Sequence, residues 1–287
     1  MSDRGIRITV LVENAVRRRG LLAEHGLAFW IETPDCRILF DTGQGLALGH
    51  NAKALGLDLS AANGVVLSHG HYDHTGGLYA ELESFRRAKV YAHLTAFRNR
   101  FIRRDDGSTQ SVGSPIPSAD ELRAQVKQLF QPRRSPVQIA EGVWITGEIP
   151  RQNDFEDVGG NFFLDEACTT PDPIIDDQAV YLQTAQGLIV LLGCAHAGVV
   201  NTLDHITCAS KGKPIRAVIG GMHLLHASEQ RLIETMKALE RLTLEVIAPG
   251  HCTGEKACIW MKARFGETYR ECSTGTCFEL DHIFEKE

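Results

Sequence analysis

The 287-residue chain has no uninterrupted apolar run of the roughly 18 residues that a membrane-spanning helix needs. Its first residues, MSDRGIRITVLVEN, lack the apolar core of a secretory signal, so we expect a cytoplasmic protein. Positive charge is also in short supply. The net charge is −6, which argues against nucleic acid and acidic membrane surfaces as partners. We expect the partner of this protein to be a small-molecule substrate.

Several familiar signatures are missing as well. There is no G-x-x-x-x-G-K-[ST] phosphate loop and no G-x-S-x-G serine elbow, which excludes two large enzyme classes. Heptads, internal repeats and low-complexity tracts are absent. The 8 cysteines contain no CxxC pair, and in a long chain without a secretory signal we expect reduced thiols. Nothing in the sequence indicates an oligomeric state.

Short apolar segments bounded by Gly, Pro and Asp alternate with helical patterns along the chain. Ten segments read as strands: 6–12, 28–32, 37–41, 64–68, 89–92, 142–146, 179–184, 188–193, 217–220 and 246–249. Four helices are predicted: 118–130 behind a Ser118/Glu121 capping box, one beginning at Ser228, 198–209 and 256–265. Strands precede helices in each half, which indicates one α/β domain, 1–287, with two αβ layers facing each other.

Two stretches, 98–117 and 147–178, show little periodic pattern. Loops this long inside a compact domain are usually functional, so we expect two insertions lying over a site. The first contains Arg98, Arg100, Arg103 and Arg104. These arginines either line the site or form a solvated helix end.

The segment LSHGHYDHTGG, residues 67–77, concentrates side chains that bind metals. His69, His71, Asp73 and His74 follow directly after the apolar run GVVL. Neutral imidazoles and carboxylates are ligands of zinc, iron and manganese. A lone histidine is usually structural, but four ligand-type residues within six positions at a strand end predict a metal site.

This one loop does not supply all the ligands that a metal site needs. Further residues able to bind a metal follow later strands. Cys194 and His196 come after 188–193, His223 and His226 after 217–220, and His251 after 246–249. Ligands placed just beyond apolar strands indicate a site at one edge of a sheet. Asp176 and Asp177, just before a strand, are further candidates.

SHGHYDH resembles the HxHxDH signature of the metallo-β-lactamase superfamily. ILFDTGQG resembles its upstream strand, whose aspartate is here Asp41, and APGHCTG resembles its final histidine motif. The resemblance implies a four-layer αββα fold with two mixed β-sheets sandwiched between helices. The segments LAEHGLAFWIE, DDQAVYL, LLGCAHAGVVNT, IGGMHLL and GHCTG are similar to one branch, named for a dihydropterin–ribofuranosylaminobenzene-phosphate synthase of methanopterin biosynthesis. Many bacterial members of that branch are called only metal-dependent hydrolases.

The resemblance also implies a ligand set. His69 and His71 would bind a first metal, and Asp73, His74 and His251 a second. The superfamily's HTPGH-like loop and bridging aspartate are missing. GCAH stands in their place, which makes His196 the expected missing ligand and puts Cys194 at the position of the aspartate, with Asp176 or Asp177 as alternatives. We expect one or two divalent metals per chain, zinc first, with iron or manganese as alternatives and the second metal weakly held or absent.

Roles for the remaining residues follow from this set. Asp73 would also accept a proton from water, and His223 would orient or protonate the leaving oxygen, unless it is a buried structural histidine. Glu148 and Arg151 would contact substrate, unless they form a surface ion pair. His25 would face the site, on the branch resemblance. Asp41 and Cys194 would orient the metal ligands without binding the metal themselves.

Three functions are compatible with this pattern. The first is a hydrolase that uses metal-activated water on a small anionic, phosphorylated substrate. The second is a transferase that joins a dihydropterin unit to a ribofuranosylaminobenzene phosphate. The third is a non-catalytic metal-binding sensor, which the intact HxHxDH signature argues against.

Overall fold

The structure is a computed structural model that describes residues 5–104, 106–132 and 134–280. The ends of the predicted domain, 1–4 and 281–287, lie outside these ranges. The strands are β1 Arg7–Val12, β2 Ala28–Glu32, β3 Arg37–Phe40, β4 Gly64–Val66, β5 Lys89–Tyr91, β6 Phe101–Arg103, β7 Thr109–Ser111, β8 Gln128–Phe130, β9 Val137–Ala140, β10 Val143–Ile145, β11 Phe162–Phe163, β12 Val180–Gln183, β13 Leu188–Leu192, β14 Ile215–Gly221, β15 Val246–Gly250 and β16 Cys277–Glu279. The helices are α1 Leu48–Ala54, α2 Tyr72–Ala80, α3 Ala119–Arg123, α4 Val199–Ala209, α5 Glu229–Glu240 and α6 Glu255–Phe265.

Two mixed sheets carry the architecture. One has seven strands in the order β16-β1-β2-β3-β4-β5-β8, and the other has six in the order β15-β14-β13-β12-β10-β9. Each combines antiparallel pairs with a parallel block, β3-β4-β5-β8 in the first and β13-β14-β15 in the second. The predicted hairpin of β12 and β13 pairs Val180 with Leu191 and Gln183 with Leu188.

Both faces of each sheet are buried. Because neighbouring side chains point to opposite sides of a strand, each strand contributes residues to two cores. Phe29 and Ile189 lie in the core between the two sheets. Their sequence neighbours Trp30 and Val190 lie in two outer cores, where the sheets meet helices. The resulting order is helices, sheet, sheet, helices, which confirms the four-layer αββα fold.

The helix predicted over 118–130 is only partly right. The Ser118 side chain caps α3 by accepting a hydrogen bond from the Glu121 N–H at 3.2 Å. The helix ends at Arg123, however, and Leu129 and Phe130 belong to β8. The backbone of β8 pairs in parallel with β5, and the Phe130 ring stacks on Tyr91 at 4.9 Å. Sheet pairing at this edge overrides the helical spacing of the apolar residues.

The two stretches without periodic pattern also contain regular structure. β6 and β7 from the first stretch and β11 from the second form a three-stranded sheet. Arg100 is buried and pairs with Asp172 at 3.0 Å and with Asp176 at 2.6 Å. It is therefore neither a site-lining cation nor part of a solvated helix end. None of the helices in the described parts of the chain is long and apolar enough to span a bilayer.

Candidate metal centre

The ligand-type side chains converge because they follow the carboxyl ends of parallel strands in both sheets. Asp41 follows β3, and His69 comes shortly after β4. Cys194, His223 and His251 follow β13, β14 and β15. The carboxyl ends of parallel strands share one edge of a sheet, which is where open α/β sheets bind ligands. The two sheets therefore bring one loop from the first half against three loops from the second.

The HxHxDH loop becomes a helix inside the motif itself. His71 is the last residue before α2, so Asp73 and His74 occupy its first turn. Two glycines let α2 lie directly against the loop after β3. A β-carbon on Gly77 would lie 1.9 Å from the Thr42 carbonyl oxygen, and one on Gly76 2.2 Å from that of Gln44. Close backbone contact thus places His74 over Asp41.

The buried Asp41 carboxylate orients two of the histidines. Its Oδ1 accepts the Ser68 N–H at 2.6 Å, and its Oδ2 accepts the Ser68 hydroxyl and the His74 Nδ1–H, each at 2.7 Å. Since the Ser68 hydroxyl donates to Asp41, its oxygen accepts the Nδ1–H of His69 at 2.8 Å. Both histidines are thereby held with Nε2 directed into the site.

A first ligand set consists of His69, His71 and His196. The Nε2 of His69 lies 2.9 Å from the Nδ1 of His71. The Nδ1–H of His196 donates to the Val158 carbonyl at 2.8 Å, which leaves a buried Nε2 without a hydrogen-bond partner in the described chain. Burial lowers the pKa of all three rings well below the usual value, so they are neutral. Converging neutral nitrogens with lone pairs fit a cation.

A second ligand set surrounds the Asp73 carboxylate. Its Oδ2 lies 3.2 Å from His25 Nε2, 3.3 Å from His251 Nε2 and 3.7 Å from His74 Nε2. Burial opposes the ionisation of Asp73, but the imidazoles of His74, His25 and His251 hold its pKa well below its usual range. Burial likewise opposes charge on His74, yet the carboxylates of Asp41 and Asp73 raise the pKa of His74 to about 9.

Cys194 lies between the two sets. Its Sγ is 3.1 Å from His74 Nε2. One ligand atom from each of His69, Cys194 and His196 falls within 4.8 Å of the others, and the same holds for His74, Cys194 and His251. The sequence predicts that Cys194 supports the metal ligands without binding a metal itself. In the structure its sulfur lies among the ligand atoms. Cys194 is therefore a candidate ligand common to both sets.

The ring of the half-buried His223 packs against Gly159. Its Nε2–H donates to the Gly159 carbonyl at 3.1 Å, and its Nδ1 is buried. Gly159 has a φ of +81°, and a β-carbon there would lie 1.9 Å from the His223 ring. Because one ring nitrogen is engaged and the other is covered, the geometry does not favour His223 as the donor to a leaving oxygen.

Four predicted side chains act outside the ligand sets. Glu148 lies 3.2 Å from His93 and 3.6 Å from Arg134, and Arg151 donates to the carbonyls of His196 and Pro173 at 2.7 and 2.8 Å. Both side chains thus have partners within the protein, and their contact with a substrate stays a prediction.

The two aspartates before β12 stabilise loops. Asp176 accepts the Gly70 N–H at 2.8 Å in addition to its pairing with Arg100, and Asp177 accepts the Ala197 N–H at 2.7 Å. Asp176 and Asp177 therefore hold the two ligand loops in place, and neither belongs to the groups of ligand atoms found among the described residues.

Sequence reasoning missed four residues at the site. Cys252 lies with Cys194 and His223 in a third group of ligand atoms within 4.8 Å. The Phe162 ring lies 4.8 Å from His71 and 5.3 Å from His196 and covers the first set. Glu13 and Asn14 hold His251, through its N–H at 2.6 Å and its Nδ1–H at 2.9 Å. Only Cys252, adjacent to a predicted ligand, gave a signal in the sequence.

Backbone conformation is unusual at the ligand loops. Four non-glycine residues there adopt left-handed φ angles: Asp41 at 57°, Ala195 at 56°, His223 at 46° and His251 at 52°. Such conformations cost roughly 1–3 kcal/mol each and tend to cluster at functional sites. The fold retains them where the strands deliver their side chains to the centre.

The metallo-β-lactamase superfamily model matches residues 22–251 of the chain. The chain belongs to the metallo-β-lactamase superfamily. The match extends from just before His25 to His251 and so includes both ligand sets. The superfamily assignment made from the HxHxDH signature is confirmed.

Two similar proteins extend this finding. A synthase of Methanocaldococcus jannaschii, 7,8-dihydropterin-6-methyl-4-(β-D-ribofuranosyl)-aminobenzene-5'-phosphate synthase, is 30% identical over 263 residues, 88% of this chain and 89% of the relative. The crystal structure of Tm1679, a metal-dependent hydrolase of the β-lactamase superfamily, superimposes with a TM-score of 0.81 at 28% identity and covers 96% of this chain and 98% of that one. The chain is thus a metal-dependent enzyme of this fold, homologous to a hydrolase and to a synthase.

A more distant structure shares the fold alone. Zn²⁺-bound PqqB of Methylobacterium extorquens superimposes with a TM-score of 0.56 at 12% identity and covers 96% of this chain and all of the other. The αββα arrangement therefore extends well beyond recognisable sequence similarity.

Proposed function

We propose that this protein is a hydrolase that uses two divalent metals and water to cleave a small anionic, phosphorylated substrate. One observation carries the proposal. The Cys194 sulfur lies in one group of ligand atoms with His69 and His196 and in another with His74 and His251, and the Asp73 carboxylate lies against His74 and His251. Paired metal sites of this kind stabilise both the attacking and the leaving oxygen of a displacement.

The residues present fit such metals. His69, His71 and His196 would hold the first and Asp73, His74 and His251 the second, with Cys194 between them. Nitrogen and sulfur donors favour zinc, and iron or manganese are the alternatives. When bound, a divalent metal supplies Lewis acidity and lowers the pKa of a coordinated water to about 7.

The protein's own side chains complete the chemistry. The Asp73 carboxylate stays ionised among three imidazoles, so it can bind a metal and orient a water by accepting a hydrogen bond from it. The His25 side chain is 57% exposed and lies against Asp73, which places it at the open side of the second set. From there it can donate to an anionic substrate. Phe162 and the buried surroundings of the first set exclude bulk water.

The proposed substrate class has two supports. The second set has an open side next to an exposed imidazole, which suits an anion. The M. jannaschii relative is named for a 5'-phosphate. Arg151 and Glu148 add no support, because both side chains are engaged elsewhere. A cytoplasmic location and the absence of nucleic-acid partners stay predictions.

A transferase is the second candidate, favoured by the 30% identity to the synthase across 88% of the chain. In that reaction the metals would stabilise a phosphate leaving group rather than activate water. Turnover of a dihydropterin diphosphate only in the presence of a ribofuranosylaminobenzene phosphate would support the transferase. Product release with water alone would support the hydrolase.

The first experiment is elemental analysis of protein purified without chelators or a histidine tag. Wild type should contain at least two metals per chain, and both His196→Ala and His251→Ala should contain fewer. His226→Ala, at an exposed position just beyond β14, is the matched control and should retain both metals. Hydrolysis of a phosphoester panel by the loaded enzyme follows. Metal content unchanged by either ligand variant, or a loaded enzyme inactive on the whole panel, contradicts the proposal.

A further inference from the structure

A third group of ligand atoms lies beside the two sets and is left over by the proposed function. It consists of Cys194, His223 and Cys252, which follow β13, β14 and β15 respectively. One ligand atom from each lies within 4.8 Å of the other two. Three adjacent parallel strands therefore each contribute one donor to the same small volume.

The His223 ring is held with a lone pair available to this group. Its Nε2–H donates to the Gly159 carbonyl at 3.1 Å, which leaves Nδ1 as the acceptor. That Nδ1 is buried and makes no hydrogen bond of normal geometry in the described parts of the chain, and the group that interacts with the ring most closely is the Cys252 sulfur. A buried, unpaired nitrogen is costly unless something binds it.

The Cys252 sulfur is held on the same side. It accepts the His223 backbone N–H at 3.3 Å, and its S–H donates to the Cys194 carbonyl at 3.7 Å. A metal bound here would displace that proton, because the thiolate is the form that binds metals. The sulfur of Cys194 completes the group from the neighbouring strand end.

The donor chemistry of the group selects the cation. It offers two sulfurs and one imidazole nitrogen but no carboxylate, so hard cations such as Mg²⁺ and Ca²⁺ find no suitable ligand. Thiolates with imidazole suit thiophilic cations, in particular Zn²⁺ and Cu⁺. We propose that Cys194, His223 and Cys252 form a third metal position that takes a thiophilic cation and shares the Cys194 sulfur with the two neighbouring sets.

This assignment also accounts for features that the hydrolase does not need. It gives a function to the covered Nδ1 of His223, which cannot reach a substrate, and to Cys252, which lies outside both other sets. It holds whether the substrate carries a phosphate or not.

The test is a titration of reduced, full-length protein with Cd²⁺, a thiophilic probe, under anaerobic conditions. Native mass spectrometry counts the bound ions, and sulfur-to-cadmium charge-transfer absorption counts the thiolates. Wild type should bind three Cd²⁺ and show two thiolates. Cys252→Ser and His223→Ala should each bind one Cd²⁺ fewer, and Cys252→Ser should lose half of the charge-transfer absorption.

Two further variants separate this proposal from the dinuclear hydrolase. Cys208→Ser, at an exposed position in α4, is the control for thiol removal and should match wild type. His69→Ala should lose a cation from the first set and keep the one that depends on Cys252. Failure of that loss would count against the hydrolase alone.

Repetition with Zn²⁺ and with Cu⁺ identifies the cation. Zn²⁺ uptake is measured in the same way, and Cu⁺ is delivered against a chelator of known affinity. Equal Cd²⁺ counts in wild type, Cys252→Ser and His223→Ala would overturn the proposal. So would a Cys194–Cys252 disulfide in the isolated protein together with no third ion after reduction.

Discussion

The two halves of the candidate metal centre are built in different ways. The first half is one loop, residues 69–74, whose ligand types are consecutive or nearly so in the sequence. A single carboxylate, Asp41, orients both His69 and His74 in that loop. In the second half, three loops after β13, β14 and β15 each provide one or two donors. Three histidines there each have their own partner: Val158 for His196, Gly159 for His223 and Asn14 for His251.

This difference determines how far each half depends on the rest of the molecule. The geometry of the first half follows from a strand end, a turn and the first turn of α2. The second half requires the parallel register of three strands, in which Leu192 lies beside Gly220 and Gly221 beside Gly250. It also requires segment 147–178, which supplies the carbonyl partners of His196 and His223.

The largest effect is expected for His69→Ala, in the first half of the centre. This variant removes a ligand of the first set, which is also the last member of the hydrogen-bonded series Asp41–Ser68–His69. Activity should fall by more than the roughly 10–100-fold typical of residues that only support a ligand. Steady-state kinetics and metal analysis beside His226→Ala measure the effect. Activity equal to that of the control would mean that this half is dispensable.

Arg100→Met tests whether the first half depends on the second. Arg100 is buried and pairs with Asp172 and Asp176, and Asp176 in turn holds the Gly70 N–H. Removing one partner of a buried ion pair typically costs about 3–5 kcal/mol, because a buried charge is left unpaired. The free energy of unfolding in urea should fall by about that amount. The exposed Arg104→Met serves as the control, and equal losses in the two variants would contradict the assignment.

Asp41→Asn sharpens the comparison between shared and separate partners. Asp41 orients a histidine in each ligand set, whereas Glu13 fixes only His251. Asp41→Asn should weaken both metal sites by roughly 10–100-fold, while Glu13→Gln should weaken one. Chelator competition measured site by site distinguishes them. Equal effects of the two variants on both metals would remove the distinction between the halves.

The smallest effect is expected for Asp177→Asn. It should be visible only in the way the free energy of unfolding depends on pH. Burial raises the pKa of Asp177 from 3.8 to about 7. The folded protein thus keeps a proton that the unfolded chain releases, so this stability is fully present below about pH 4 and is lost as the pH rises through about 7. Asparagine stays neutral and can still accept the Ala197 N–H. The variant should therefore gain stability relative to wild type between these pH values.

Urea unfolding of wild type and Asp177→Asn at several pH values measures that gain. If the two free energies of unfolding run parallel from pH 4 to 7, Asp177 ionises as readily in the folded protein as in the unfolded chain. The support of the His196 loop would then involve a charged carboxylate beside Arg151.

The residues of the two halves of the metal centre also differ in how well the sequence predicts them. His69, His71, Asp73 and His74 are adjacent in sequence, and their convergence requires only local geometry. His196 and His251 are identifiable because each follows a strongly apolar strand. Glu148 and Arg151 have suitable chemistry for a substrate site, but their partners His93, His196 and Pro173 are distant in sequence, so their engagement was not predictable.

Residues without ligand chemistry were harder to place. Phe162 covers the first set only because β11 pairs with β6, two short strands that have no clear periodicity. Leu129 and Phe130 read as helix because their spacing suits one, and only pairing with β5 makes them a strand. In both cases the deciding interaction joins segments that are far apart in the chain.

By itself the sequence determined the superfamily, the αββα layers and the ligand types at each strand end. These depend on short-range patterns: apolar runs, turn residues and adjacent histidines. The tertiary structure alone decided which donors share a volume. It placed the Cys194 sulfur among three groups of ligands, directed His223 towards Cys252 and engaged Arg151 with backbone carbonyls. The physical reason is that the orientation of a side chain depends on strand register and on distant hydrogen-bond partners, which local sequence patterns do not encode.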